Sequence, residues 1–303
     1  MITRKQLFLD SYYQIYHKIR ILFALGKLPD FLIIGAPKSG TGYIWNLLLS
    51  HPQVQMSPNF RRIERYKGTQ KYKDRRYHNR KEIRYFSAQR MNSVNWYKAC
   101  FNDNDKLQGE ATPVYLTFIA CHEQMHKIVP EAKLIVILRN PVSRSFSNYN
   151  HMKFHKSSWN DPFSKNADYF DIKKCFKENV ESEINGNCKS GFILRPSLYI
   201  DQIESLLNFY KKEQLLILIM EEMSKKPEEA YRKICSFLSI EPKPLSIDLY
   251  KKMHVIPYSE RMENETKRML YELFAPYNKR LFNFLGREIE EWGDCYCEIA
   301  ANK

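Results

Sequence analysis

Phe31-Leu32-Ile33-Ile34-Gly35-Ala36-Pro37-Lys38-Ser39-Gly40-Thr41-Gly42 is the stretch that decides how this chain is read. Four consecutive apolar residues match a short strand buried on both faces. A turn rich in glycine and hydroxyl groups follows, and Tyr43-Ile44-Trp45-Asn46-Leu47-Leu48-Leu49 then reads as a helix. Strand, tight loop and helix start together aim backbone N–H groups and the positive end of a helix dipole at one point, which suits a phosphate. The plainer alternative is an ordinary turn between strand and helix with a lysine at the surface.

The loop is not a Walker A motif. Gly35 and Gly40 have the right separation, but Thr41 follows Gly40 and the only lysine is Lys38. The adjacent lysine and hydroxyl that grip a β/γ-phosphate and Mg²⁺ are missing, which disfavours a magnesium-dependent kinase or ATPase. The turn also lacks the Gly-x-Gly-x-x-Gly of a dinucleotide site.

Leu134-Ile135-Val136-Ile137-Leu138 is a second continuous apolar run and predicts a central parallel strand. It ends in Arg139-Asn140-Pro141, with Pro141 suited to a turn or a first helical position. Ser147 lies about two helical turns beyond Arg139. A strand-end arginine and a helix hydroxyl can grip a second phosphate, because open α/β sheets place ligands at strand carboxyl ends. From these residues alone, a purely structural arginine, capping a helix or paired with a carboxylate, is the favoured reading.

In this order the two elements resemble the PAPS-dependent sulfotransferases, where PAPS is 3′-phosphoadenosine-5′-phosphosulfate. Pro37-Lys38-Ser39-Gly40-Thr41 is similar to that family's 5′-phosphosulfate loop, and Arg139 to Ser147 to its 3′-phosphate element. The segments around Lys81-Glu82, Gly109-Glu110-Ala111-Thr112-Pro113, Leu198-Tyr199, Glu221-Glu222 and Phe274-Ala275-Pro276-Tyr277-Asn278 resemble its bacterial and carbohydrate branch. The likeness to the heparan sulfate glucosaminyl sulfotransferases is clearest at Lys81-Glu82. It runs from about residue 28 to about residue 292. The resemblance implies an α/β fold with a central parallel sheet flanked by helices, related to the P-loop nucleotide kinases.

It also implies PAPS as donor, no metal, and a hydroxyl or amino group of a glycan as acceptor. Pro37, Lys38, Ser39, Gly40, Thr41, Gly42, Arg139 and Ser147 then bind the donor. Lys38 meets the charge developing on the departing phosphate oxygen. Glu82 is the candidate base for the acceptor proton, with Glu110 second. Glu82 has a plainer alternative, balancing the charge of Arg80, Lys81 and Arg84, and Glu110 that of a buried structural carboxylate. Glu110, Arg84 and His151 are the candidates for acceptor contact, with His151 or His155 as an alternative base. Two departures stand out. Ala111 replaces a lysine that many heparan-type relatives carry after the glutamate, and Gly42 replaces a hydroxyl residue.

The 303 residues carry 48 Lys and Arg against 34 Asp and Glu, a net charge of +14. That excess suits anionic partners, namely PAPS and an acidic glycan or membrane surface. No helix-turn-helix, zinc-finger or RRM signature supports nucleic acid. Seven scattered cysteines, an odd number, do not form a disulfide framework and fit buried small side chains. No apolar run reaches the length of a membrane span. The segment Tyr12 to Leu25, interrupted by His17, Lys18 and Arg20, reads as an amphipathic helix that packs on the domain or touches a membrane surface. A soluble, bacterial-type cytoplasmic enzyme is expected, or a Golgi-lumenal one if an anchor is missing.

The chain divides into a helical lead-in over 1–28 and one domain over 29–303. Within it, residues 60–84 are a basic insertion with 11 Lys and Arg against 3 Asp and Glu. This is either an acceptor-binding lid or a solvated charge run. Helices are expected over 94–101, 117–130, 197–211, 227–239 and 259–285, and a third strand over Leu215-Leu216-Ile217-Leu218-Ile219. Residues 150–190 read as polar and irregular. The competing functions are the same transfer to a small alcohol, lipid or peptide tyrosine, a noncatalytic polyanion-binding protein, and a P-loop kinase.

Overall fold

Strands that are apolar on both sides need cover on both faces, and the computed structural model supplies it. It describes residues 15–57, 82–88, 92–155, 172–185, 193–244 and 261–293. The strands are β1 (Phe31–Gly35), β2 (Val54–Met56), β3 (Leu107–Ala111), β4 (Lys133–Leu138) and β5 (Leu215–Ile219). They form one sheet in the order β2-β3-β1-β4-β5, and every pairing is parallel. In chain order the helices are α1 (residues 15–22), α2 (Thr41–Leu49), α3 (Tyr85–Ala88), α4 (Val94–Lys98), α5 (Val114–Thr117), α6 (His122–Ile128), α7 (Pro141–His155), α8 (Ile172–Ile184), α9 (Tyr199–Leu207), α10 (Met220–Lys225), α11 (Pro227–Leu238) and α12 (Asn264–Leu285).

Alternation along the strands sorts the core into two layers. Leu32, Ile34, Leu134, Val136 and Leu138 face one side, where Leu116 of α5, Met125 of α6 and Ile203 of α9 cover them. Phe31, Ile33, Ile135, Ile137 and Leu218 face the other, under Ile44 and Leu48 of α2 and Ile234 of α11. Each such side chain, when fully buried, contributes about 1.5–3 kcal/mol. A charge at Ile135, which has no exposed surface, would be buried without a partner and break the central pair. Gly109 of β3 is paired with Phe31, and any side chain there would strike the Phe31 ring.

The chain leaves β1 toward β2 at one edge, returns through β3, and then crosses to β4 on the other side of β1. The topological switch point therefore lies between β1 and β4. The carboxyl ends of strands at such a point are the usual ligand position in open α/β sheets.

Several local expectations need correcting. The expected helix over 117–130 is broken: α5 ends at Thr117, a 3₁₀ turn spans Ile119–Cys121, and α6 follows. Phe118, at φ −89° and ψ 72°, is not helical. The stretch read as irregular contains the end of α7 and all of α8. Cys175, Phe176 and Val180 bury one face of α8 against a third cluster with Tyr149 of α7 and Phe274 of α12. Strands β2 and β3 were not expected. The basic insertion up to residue 81 and the side chain of His155 lie outside the described residues.

Candidate active site

The loop after β1 is bound to the neighbouring strand. The Ala36 N–H donates to the Ile137 carbonyl of β4 at 2.7 Å, and the Ser39 N–H donates back to the Ala36 carbonyl at 3.2 Å. Lys38 has φ 70° and Gly40 φ 91°. The left-handed conformation is free for glycine but costs about 1 kcal/mol or more for lysine, so the loop holds Lys38 in a strained backbone position. Helix α2 starts immediately afterwards with no side-chain cap and no acidic residue in its first turn. Its first N–H groups and its dipole therefore point at the loop without competition from a carboxylate.

Arg139 follows β4, one strand away. Its Nη1 donates to the Lys38 carbonyl at 3.2 Å, which brings the two sequence elements into contact. The Tyr199 hydroxyl of α9 donates to the Arg139 carbonyl at 2.7 Å and fixes the backbone of that turn. Asn140 caps α7, its Oδ1 accepting the Ser143 N–H at 3.1 Å. Ser147 and His151 follow on α7, one turn apart and so on one face. Ser147 is buried and His151 half-buried.

Glu221, just after β5, is a clamp. Oε1 accepts the Asn140 N–H at 3.0 Å, and Oε2 accepts the Trp292 indole N–H at 3.2 Å. Its neighbour Glu222 pairs with Arg287 at 2.6 Å. The acidic residues at the end of β5 are thus committed to structure.

Arg144 was not expected. It has no exposed surface. Its guanidinium donates to the Ser197 hydroxyl, to the Ile193 carbonyl and to the Ser145 hydroxyl. Burial pulls it down to about 10, and the nearby Arg139 charge pushes the same way. Its only sequence signal was a second arginine five residues after the strand-end one.

The carboxylates lie on the other side of β1. Glu110 is on β3 with no exposed surface. The hydroxyls of Tyr97, Thr112 and Tyr115 donate to it at 2.6, 2.7 and 3.2 Å, and the Ile83 backbone bonds it as well. Burial nevertheless outweighs these bonds and raises its pKa to about 7. Burial and the Glu110 charge in turn raise the phenols of Tyr97 and Tyr115, so both remain donors.

Glu82 is adjacent in space through the backbone. The Arg84 N–H donates to Thr112 Oγ1 at 3.2 Å, and Arg84 Nε donates to Glu82 Oε2 at 2.8 Å. Residues 82–84 are therefore attached to the carboxyl end of β3, the same end of the sheet as the loop. Arg84 itself has φ 60°. Ala111 ends β3 with its methyl group fully buried on the α2 face of the sheet. The geometry thus joins Lys38 to Arg139, and Glu82 and Arg84 to Glu110. Among the described residues no group of three or more His, Cys, Asp or Glu is placed to hold a metal ion. None of the described helices is long and apolar enough to cross a membrane.

The family model described as "Sulfotransferase domain" matches residues 28–271. The chain is 26% identical to the membrane-associated sulfotransferase kil1 of Dictyostelium discoideum, over 87% of this chain and 66% of that protein. It is 24% identical to the bifunctional heparan sulfate N-deacetylase/N-sulfotransferase 1 of Caenorhabditis briggsae, over 88% of this chain and 31% of that one. Carbohydrate sulfotransferase 15 of mouse is 26% identical over 89% and 55%. The chain thus spans between about a third and two-thirds of the length of these relatives. Among solved structures, a sulfotransferase from Alicyclobacillus acidocaldarius shares the fold at a TM-score of 0.64 and 21% identity, covering 88% of this chain and 99% of that one.

Proposed function

The chain belongs to the sulfotransferase family, and on that premise we propose that it moves a sulfuryl group from PAPS to a hydroxyl or amino group of a glycan. The observation that carries the donor half is the bond from Arg139 Nη1 to the Lys38 carbonyl at 3.2 Å. It ties the arginine of one central strand to the phosphate-type loop of the other, so both cationic elements border one crevice at the switch point. Pro37, Lys38, Ser39, Gly40, Thr41 and Gly42 take the 5′ end of PAPS, and Arg139 with Ser147 takes its 3′-phosphate. The fit rests on the left-handed Lys38 and Gly40, the uncapped start of α2, and the commitment of Glu221 and Glu222 to other partners.

The acceptor oxygen or nitrogen attacks sulfur, and the bond between sulfur and the phosphate oxygen breaks. Adenosine 3′,5′-bisphosphate leaves with the electron pair. Lys38 binds the charge that grows on that leaving oxygen, more strongly in the transition state than before it. Glu82 takes the acceptor proton. Arg84 orients Glu82 through their 2.8 Å pair, and Glu110 acts as a positioning residue through Thr112 and Ile83. His151, on the Ser147 face of α7, is an acceptor contact.

The names of the relatives and the charge of +14 favour an anionic glycan over a small phenol or alcohol. Ala111, buried where many heparan-type enzymes carry a lysine, argues against heparan itself.

Titration calorimetry with adenosine 3′,5′-bisphosphate and with 5′-AMP tests the donor site. Wild type is expected to favour the bisphosphate by about 10- to 100-fold, the worth of one or two hydrogen bonds to a charged group. Arg139→Ala is expected to erase the preference while leaving 5′-AMP binding intact. Equal affinities in the wild type would remove the 3′-phosphate site. Labelled-sulfate transfer to desulfated glycans, lipids and phenols assigns the acceptor.

A further inference from the structure

Helix α1 is docked the wrong way round for an amphipathic helix in a soluble domain. Two of its polar residues, His17 and Arg20, face the protein. His17 is buried, edge-on to Trp96 of α4 at 5.5 Å between ring centroids. Arg20 is buried too. Its Nε donates to the Ala99 carbonyl at 3.1 Å, another guanidinium nitrogen donates to the Phe101 carbonyl, and Nη1 reaches Asn102 Oδ1 at 3.4 Å. Gly26 closes the following turn at φ 101°, where any side chain would strike the Lys98 and Phe101 carbonyls. Rotating α1 to bury its apolar side would strip the Arg20 guanidinium of these acceptors.

The apolar residues are left outside. Ile15, Ile19, Leu22 and Phe23 are 60, 45, 77 and 66% exposed. Their spacing of four, three and one puts them on one stripe. In the sequence the same three- and four-residue spacing runs back through Tyr12 and Phe8. Lys18 is exposed at the margin of the stripe. The first 27 residues carry Arg4, Lys5, Lys18, Arg20 and Lys27 against a single acid, Asp10.

We propose that this outward stripe of α1, with its lysine margin, is a docking surface for an anionic lipid bilayer. The helix lies in the interface plane: its described turns rise only about 12 Å, and His17, Lys18 and Arg20 interrupt its apolar residues. Ile15, Ile19, Leu22 and Phe23 enter the boundary between headgroups and acyl chains, and Lys18 meets the anionic headgroups, Lys27 being paired with Asp30 at 3.1 Å. Charge argues against a second copy as the occupant, because a two-fold contact would bring the exposed Lys18 of both copies to one apolar seam. The inference is independent of the sulfation chemistry.

Co-sedimentation of the full chain with vesicles tests it. Vesicles of equal parts phosphatidylcholine and phosphatidylserine are expected to bind the protein, and pure phosphatidylcholine to bind it at least about 10-fold more weakly. The double variant Leu22→Ser, Phe23→Ser is expected to lower partitioning to the mixed vesicles by at least about 10-fold. Its melting temperature and its sulfate transfer to a soluble acceptor should not change, since neither residue is buried. Lys18→Glu should weaken binding to the anionic vesicles alone. Undiminished vesicle binding by the double variant would overturn the proposal. So would a wild-type dimer that the variant converts to monomer, which would give the stripe to a second copy. Protection of residues 15–25 from hydrogen exchange without lipid, lost on deleting residues 1–14, would give it to the chain's own N-terminal segment.

Discussion

The carboxyl end of the sheet treats charge in opposite ways on the two sides of β1. On the β4 side, Lys38 and Arg139 are half-buried, and neighbours fix their backbones: the Tyr199 hydroxyl on the Arg139 carbonyl, Arg139 itself on the Lys38 carbonyl. On the β3 side, Glu110 is sealed from water and surrounded by three hydroxyls. The first arrangement keeps positive charge near a crevice. The second replaces solvent around a carboxylate with uncharged donors and uses it to anchor Thr112 and the 82–84 segment. On the proposed function, the contrast separates residues that meet ligand from residues that hold those in place.

The contrast can be broken most directly at Glu82. Glu82→Gln is expected to lower kcat by about 10²- to 10⁴-fold, the usual range for a positioned base, while donor affinity stays near wild type. Full turnover across the pH range would hand the proton to another group and dissolve the proposed division of labour. Lys38→Ala comes next, with about 10²- to 10³-fold lost from kcat and a smaller loss of donor affinity. A loss confined to KM would make Lys38 a binding residue only.

The smallest effect is on stability, and it sharpens the reading of Glu110. Its folded pKa is raised from 4.5 to about 7. For a raised value, the contribution to stability is fully present below the unfolded pKa and is lost as pH rises through the folded one. The protein should therefore lose about 3 kcal/mol of unfolding free energy between about pH 4.5 and about pH 7 from this group alone. Urea titrations at several pH values should show that slope in the wild type and a flatter profile in Glu110→Gln. An identical slope in both would mean that Glu110 is not sealed as described.

The turns after β1 and β4 and the central strands were legible because one physical signal carried each. Residues 31–34, 134–138 and 215–219 are unbroken apolar runs, and only strands with both faces covered need them. Strand β3, Leu-Gln-Gly-Glu-Ala, hid because its buried polar groups are satisfied by distant partners: Asp30 for the Gln108 N–H, Tyr97 and Tyr115 for Glu110. Helix α8 hid because Lys and Glu outnumber the few residues it buries. In the site, motif order put Arg139 and the Lys38 loop at the same end of the sheet, but the hydrogen bond between them had no sequence signal. The hydroxyl cage of Glu110 had none either, since Tyr97 arrives from α4 with no local cue. The lead-in helix was legible as amphipathic, but its orientation was not. Only the acceptors around Arg20 decide which side packs.

The tie from Asn140 through Glu221 to Trp292 has a consequence for where this unit ends. The match to the family model stops at residue 271, in the middle of α12. Yet Trp292 is 1% exposed and bonded to the carboxylate that supports the start of α7. A fragment cut at that border would lose a support of the start of α7, so the cooperative unit is longer than the matched stretch.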